Sequence, residues 1–196
     1  MCIRAGQSLG HFPHIEVPHD CKRISVRHNS IRSESLPELG CPKLVSLALG
    51  DNRDMGKIPD GFFLNFTSLK VLELSWIPAL KSLPPSLWQL TQLEFLDLSG
   101  TMMESIPVGI GNLFRLQFLS FCNCYLLKSL PCEIGKLEKL KYLDLQGLCY
   151  LEFIPKEIKM LSKCKILESS IQDLLMKKSI RKFTTFIGPA LKGGSI

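Results

Sequence analysis

Five segments of this chain begin with the same spacing of leucines. They are "LVSLALGDNRDMGKIP" from Leu44, "LKVLELSWIPALKSLP" from Leu69, "LEFLDLSGTMMESIP" from Leu93, "LQFLSFCNCYLLKSLP" from Leu116 and "LKYLDLQGLCYLEFIP" from Leu140. Their starts fall 25, 24, 23 and 24 residues apart. A weaker copy, "CKRISVRHNSIRSESLP", begins at Cys21, and a decayed start, "CKILES", begins at Cys164. Within a copy the apolar residues stand three and then two apart, as Leu93, Leu96 and Leu98 do. A helix needs apolar residues at i, i+3, i+4 and i+7, whereas alternation two apart is the period of a strand. The "SGT" after Leu98 ends that strand, because these are turn residues. Pro107 fixes its own φ and removes a hydrogen-bond donor, so no sheet continues through it. One such unit cannot bury its apolar face alone; stacking on its neighbours can.

This is similar to the leucine-rich-repeat pattern, whose period is 20–29 residues. It predicts an α/β solenoid: a shallow horseshoe with one curved parallel β-sheet on the concave face. Short extended, 3-10 or helical arms, such as "PPSLWQLTQ" after Leu83, return along the convex face. Residues such as Leu93, Leu96, Leu98, Ile106 and Ile110 point inward, each contributing roughly 1.5–3 kcal/mol when buried. Because each repeat shares its core only with the next, stability is close to a nearest-neighbour sum. The expected organisation is a linker over 1–20, about six repeats over 21–168 and a C-terminal cap over 169–196. The cap reading rests on "SSIQDLLMKKSIRKF", where Ser170 and Asp173 have capping-box spacing. Ile171, Leu174 and Leu175 then share one helical face. The alternative for that segment is a basic amphipathic helix making weak contact with a membrane surface or a partner.

The 196 residues suffice for one domain of this kind. No run of 18 or more apolar residues is present to span a membrane, and the first twenty residues lack the apolar core of a secretory signal. The expectation is a cytoplasmic protein with reduced thiols, since its eight cysteines form no paired framework. The net charge of +6 collects at the two ends: Lys22, Arg23, Arg27, Arg32 and Lys43 at one, Lys177, Lys178, Arg181, Lys182 and Lys192 at the other. With acidic positions between them, nucleic acid is not an expected partner. No nucleophile–base or paired-carboxylate pattern supports an enzyme. His11, His14 and His19 match no zinc spacing, so neither a metal nor a cofactor is expected.

The flanking segments carry a closer resemblance. "RAGQSL", "CKRISVRHNSI", "CPKLVSLALGDN" and "KIPDGFFLNFTSLKVLELS" follow one another in the order seen in plant nucleotide-binding leucine-rich-repeat disease resistance proteins. The resemblance spans about residues 3–163 and also takes in "LDLSGT…IP" and "LDLQG". It implies a non-enzymatic protein-interaction domain of an intracellular immune receptor, recognising effectors or guarded host proteins and helping to hold the receptor inactive. The family's phosphate loop, G-x-x-x-x-G-K-[ST], is not found here, so nucleotide binding is not expected of this chain. The alternative is a cytosolic leucine-rich-repeat scaffold without an immune module, favoured by "LPCEIGKLEKL". In the family the first repeats are expected to dock on the nucleotide-binding module, and Lys22, Arg23 and Arg27 form a basic patch suited to that contact.

The concave sheet face is where partners are expected. One outward slot reads Arg23, Ser46, Val71, Phe95, Phe118, Tyr142, Ile166. The next reads Ser25, Ala48, Glu73, Asp97, Ser120, Asp144, Glu168. An aromatic stripe beside an acidic one, with Trp76 at a strand end, describes a protein-binding surface. The candidate residues are Val71, Glu73, Trp76, Phe95, Asp97, Phe118, Tyr142 and Asp144. Self-packing of the rings along the sheet is the competing explanation.

Overall fold

A computed structural model describes residues 2–4, 10–12 and 17–167. In each repeat the residues around the second leucine form a three-residue strand, and the strands pair in chain order. Eight lie among the described residues: β1 Cys2–Arg4, β2 Arg23–Ser25, β3 Ser46–Ala48, β4 Val71–Glu73, β5 Phe95–Asp97, β6 Phe118–Ser120, β7 Tyr142–Asp144 and β8 Lys165–Leu167. All neighbours are parallel, in the single order β1 to β8. Ile24, Leu47, Leu72, Leu96, Leu119 and Leu143 occupy one register position and are buried without exception. Register holds because a slip of one residue would turn that whole column outward.

Every returning arm from Pro85 onward begins with a proline in extended conformation and then makes one 3-10 segment. These are Pro85–Gln89, Val108–Asn112, Cys132–Lys136 and Lys156–Met160, preceded by Pro84, Pro107, Pro131 and Pro155. The expected short arms are therefore present, and they stack on one another through Leu87, Ile110 and Ile134, all buried. The arm after β3 differs. It runs in turns and is filled by Phe62, Phe63 and Phe66, packed edge to face with centroids 5.1–6.1 Å apart. Edge-to-face geometry sets the positive ring edge on the negative ring face.

Two expectations change. The segment 1–20, expected as a linker, contributes Cys2–Arg4 to the sheet, with Ile3 in register with Ile24. The last strand sits one residue earlier than its sequence alignment. Lys165 pairs with Tyr142 and Leu167 with Asp144, not Ile166 and Glu168. In this register Ile166, rather than Leu167, stands opposite Leu143, where it packs half-buried on the core. The predicted cap over 169–196, with Ser170, Asp173 and its basic residues, lies outside the described residues, as does His14.

Candidate protein-binding face

Each strand from β2 to β7 is followed, three residues past its end, by one residue in the left-handed region. These are His28, Asp51, Trp76, Gly100, Asn123 and Gly147, with φ between +56° and +72°. Each of their amides from His28 to Asn123 donates to the turn carbonyl of the next repeat; Trp76 reaches the Ser99 carbonyl at 2.7 Å. The column was readable in the sequence as a Gly, Asn and Asp position recurring every 23–25 residues. Trp76 is the exception, since a bulky side chain is costly at positive φ. Its ring lies over Gly100, where an added Cβ would stand 2.6 Å from Trp76 Cε3. Trp76 remains about half exposed.

The residue after each left-handed position is buried and, when polar, ties the turns together. Asn52 donates to the carbonyls of Val26 and Leu49 and accepts from the Ile31 amide. Thr101 and Cys124 take the same position two and three repeats later, and both donate to the Leu98 carbonyl, at 2.8 and 3.1 Å. Cys124 thus stands in an asparagine-type turn position. Burial pushes the Cys124 thiol up, partly offset by its Thr101 contact. None of the seven cysteines from Cys21 to Cys164 forms a disulfide.

The acidic slot is a capping slot. Asp97 Oδ1 accepts the Ser99 amide at 3.0 Å and the Ser99 hydroxyl. Asp144 Oδ1 accepts the Gln146 amide at 3.0 Å, and Ser120 Oγ accepts the Cys122 amide at 3.2 Å. Each side chain closes its own turn two residues on, which is the Asx-turn geometry. Glu73 does the same for Ser75, through Oε1 on both the amide and the hydroxyl. Its other oxygen accepts the Gly50 amide and lies 3.1 Å from Arg27 Nε. Gly50 makes room for this, because a Cβ there would stand 2.1 Å from Glu73 Oε1.

These contacts alter two expected sites. Glu73 is buried, with both carboxylate oxygens held within the fold. Arg27 reaches past β3 to meet Glu73 and also pairs with Asp51 at 3.0 Å, where His28 approaches at 3.3 Å. Of the basic patch, Lys22 and Arg23 stay exposed while Arg27 is held against the sheet. The sequence could not announce this, because the partners are 24 and 46 residues apart.

The aromatic slot divides. Phe95 and Phe118 stack face to face, centroids 4.4 Å apart and planes 5° from parallel. Val71 precedes them in register, half-buried. Tyr142 follows in register but makes no ring pair among the described residues, and it is 46% exposed. Before this row on each strand stand Lys70 and Glu94, paired at 2.9 Å, then Gln117 and an exposed Lys141. After it stand Asp97 and Asp144, with no cation within 4 Å among the described residues. Cys122 reports their proximity: its thiol is pushed up first by burial, then by the Asp144 and Asp97 carboxylates. Sequence reasoning missed a second apolar group on the turns, in which Met102, Tyr125, Leu126 and Tyr150 are exposed. Their recurrence after the third leucine was the available signal.

Among the described residues no helix is long and apolar enough to cross a membrane. Residues 60–186 match the family described as leucine-rich repeat region. The disease resistance protein RFL1 of Arabidopsis thaliana is 35% identical over 117 residues, which is 60% of this chain and 13% of that protein. The disease resistance protein UNI, from the same plant, is 32% identical over 117 residues, with the same shares covered. This chain thus spans about an eighth of the length of the curated relatives it matches, and the resemblance noted in its sequence stands. Among solved structures, the leucine-rich repeat domain of the type III effector XopL aligns with TM-score 0.54 at 20% identity, over 88% of this chain and 77% of that one. The Toll–Spatzle complex of Drosophila aligns with TM-score 0.64 at 13% identity, over 84% and 22%. Both show the solenoid fold.

Proposed function

The chain belongs to the leucine-rich repeat region family, and on that premise we propose that it is a non-enzymatic protein-interaction domain of an intracellular plant immune receptor. In this reading it contributes to recognising a pathogen effector or a guarded host protein, and to holding the receptor inactive, in the cytoplasm. The observation that carries it is the face of β5–β7. Two stacked phenylalanines and an exposed tyrosine stand there beside the carboxylates of Asp97 and Asp144, each of which caps its turn through Oδ1 alone. Aromatic anchors next to polar groups are the composition of interface centres. Support for the defence setting comes from the disease resistance proteins it resembles.

Phe118→Glu tests this, because it keeps the strand and breaks the aromatic row at its centre. Capture of proteins from leaf extract falls sharply while Tm moves little. A fall in Tm with the captured set unchanged on the folded fraction would make the row purely structural. The exposed pair Lys22 and Arg23 is assigned to docking on the receptor's nucleotide-binding module. With that module supplied as a separate chain, Arg23→Glu weakens pull-down, and salt weakens it further, since the Debye length is about 8 Å at physiological ionic strength. Unchanged pull-down removes that role.

A further inference from the structure

We propose that the β5–β7 face receives a cationic protein segment, with one basic side chain on Asp97 and a second, about 10 Å away, on Asp144. This rests on the interaction reading above and names the class of partner.

The molecule itself displays the chemistry that this slot accepts. Glu73, Asp97 and Asp144 share one register column, each two residues before the turn group it caps. At Glu73 the column is completed by a guanidinium, because Arg27 reaches across Gly50 to lie 3.1 Å from Oε2. At Asp97 and Asp144 the capping is the same, through Oδ1 alone, but no basic residue of the described chain follows it. Arg27 stands two repeats before Glu73, and the equivalent positions are Gly50 for Asp97 and Ser99 for Asp144, neither of them a cation. The second oxygen of each carboxylate is the acceptor left for an incoming cation.

The aromatic row fits the same occupant. Phe95 and Phe118 stack as one flat block beside Asp97, and Tyr142 stands exposed beside Asp144. A guanidinium that reaches a carboxylate along such rings gains from the ring face as well as the charge. Direction is also set. On the far side of the row Lys70 already neutralises Glu94, and Lys141 is exposed before Tyr142, so positive charge is favoured only on the aspartate side. Asp97 and Asp144 are separated by β6, hence by two strand spacings, about 10 Å. In an extended segment crossing the strands, residues three apart span about that distance on one side.

The probe is a fluorescein-labelled peptide with two arginines separated by two alanines, titrated into the full chain by anisotropy. Controls carry glutamate in place of arginine, or the two arginines adjacent. Asp97→Asn with Asp144→Asn is the informative variant, since asparagine Oδ1 still accepts the Ser99 and Gln146 amides and the turns survive. The expected result is saturable binding that weakens about tenfold or more per carboxylate removed, that falls with salt, and that the glutamate peptide does not reproduce. Unchanged affinity in the double variant, or equal binding of the glutamate peptide, overturns the proposal. Binding that appears only after Lys177, Lys178, Arg181, Lys182 and Lys192 are all changed to Gln also overturns it, in favour of the chain's own basic segment. The two readings separate cleanly. If Phe118→Glu abolishes protein capture while the double variant binds peptide normally, the interaction face stands and its cationic partner does not. If the double variant loses the peptide while Phe118→Glu captures proteins unchanged, the cation site stands and the aromatic row is structural.

Discussion

The first three full repeats and the last three use the same register positions for opposite ends. Around β2–β4 the charges close on themselves. Arg27, Asp51 and Glu73 meet across three strands, Gly50 leaves space for the carboxylate, and Asn52 ties three backbone groups beneath them. Around β5–β7 the same capping acids stand without a cation, the buried asparagine is replaced by Thr101 and Cys124, and the adjacent slot holds rings. One half has used its polar groups to join repeats together. The other has kept them at the surface. A solenoid permits this division because each repeat depends only on its neighbours.

The largest expected difference lies in the buried turn position. Asn52→Ala leaves the Ile31 amide and the Leu49 carbonyl without their partner in the interior, while the Val26 carbonyl keeps Asn29, at about 3 kcal/mol. Thr101→Ala removes one donor whose acceptor, the Leu98 carbonyl, still receives Cys124, and costs about 1 kcal/mol. Urea midpoints of the two variants measure the gap; equal losses would erase the contrast between the halves.

Next comes the ion network. Glu73→Gln removes the charge that Arg27 and the Gly50 and Ser75 groups share, and destabilises by about 2 kcal/mol. Asp144→Asn retains its turn bond and is expected within about 0.5 kcal/mol of the parent chain. A larger loss for Asp144→Asn would mean that its carboxylate is already neutralised in the folded chain.

Gly50→Ala sharpens the same point at about 1–2 kcal/mol, because the new methyl displaces the Glu73 carboxylate from its partners. In combination with Glu73→Gln its effect shrinks, since both changes undo one arrangement. Full additivity in that double-mutant cycle would separate the glycine from the network.

The smallest effect is read at Cys122. Burial is the main reason its thiol is pushed up, and the carboxylates of Asp144 and Asp97 add to it. Changing both to Asn moves the thiol back toward its ordinary value, so more thiolate is present at any pH below that value. Alkylation of Cys122 at about pH 8.5, mapped by mass spectrometry, therefore speeds up modestly. A comparison with Cys164 guards against a general loosening: burial holds that thiol up, to about 11, and no aspartate contributes. Its rate stays unchanged.

Much of this was legible in the leucines alone. Their spacing of three and two, recurring every 23–25 residues, determined a stack of short parallel strands with proline-started arms. The reason is that burial and the two-residue period leave one register in which every Leu47, Leu72, Leu96 and Leu119 faces inward. Where the landmarks fade, at Cys164, the strand pairs one residue earlier and sets Ile166, half-buried, opposite Leu143. The aspartates looked like a free acidic stripe, although their turn-capping role was visible in "DLS" and "DLQ", an acid two residues before an amide it can hold. Only the tertiary structure decided which acids were already answered. Arg27 and Glu73 are 46 residues apart, and whether they meet depends on strand spacing, on the reach of a guanidinium and on the missing side chain at Gly50. Local periodicity fixes backbone register, whereas charge neutralisation across strands depends on side chains from separate repeats arriving within about 3 Å of one another.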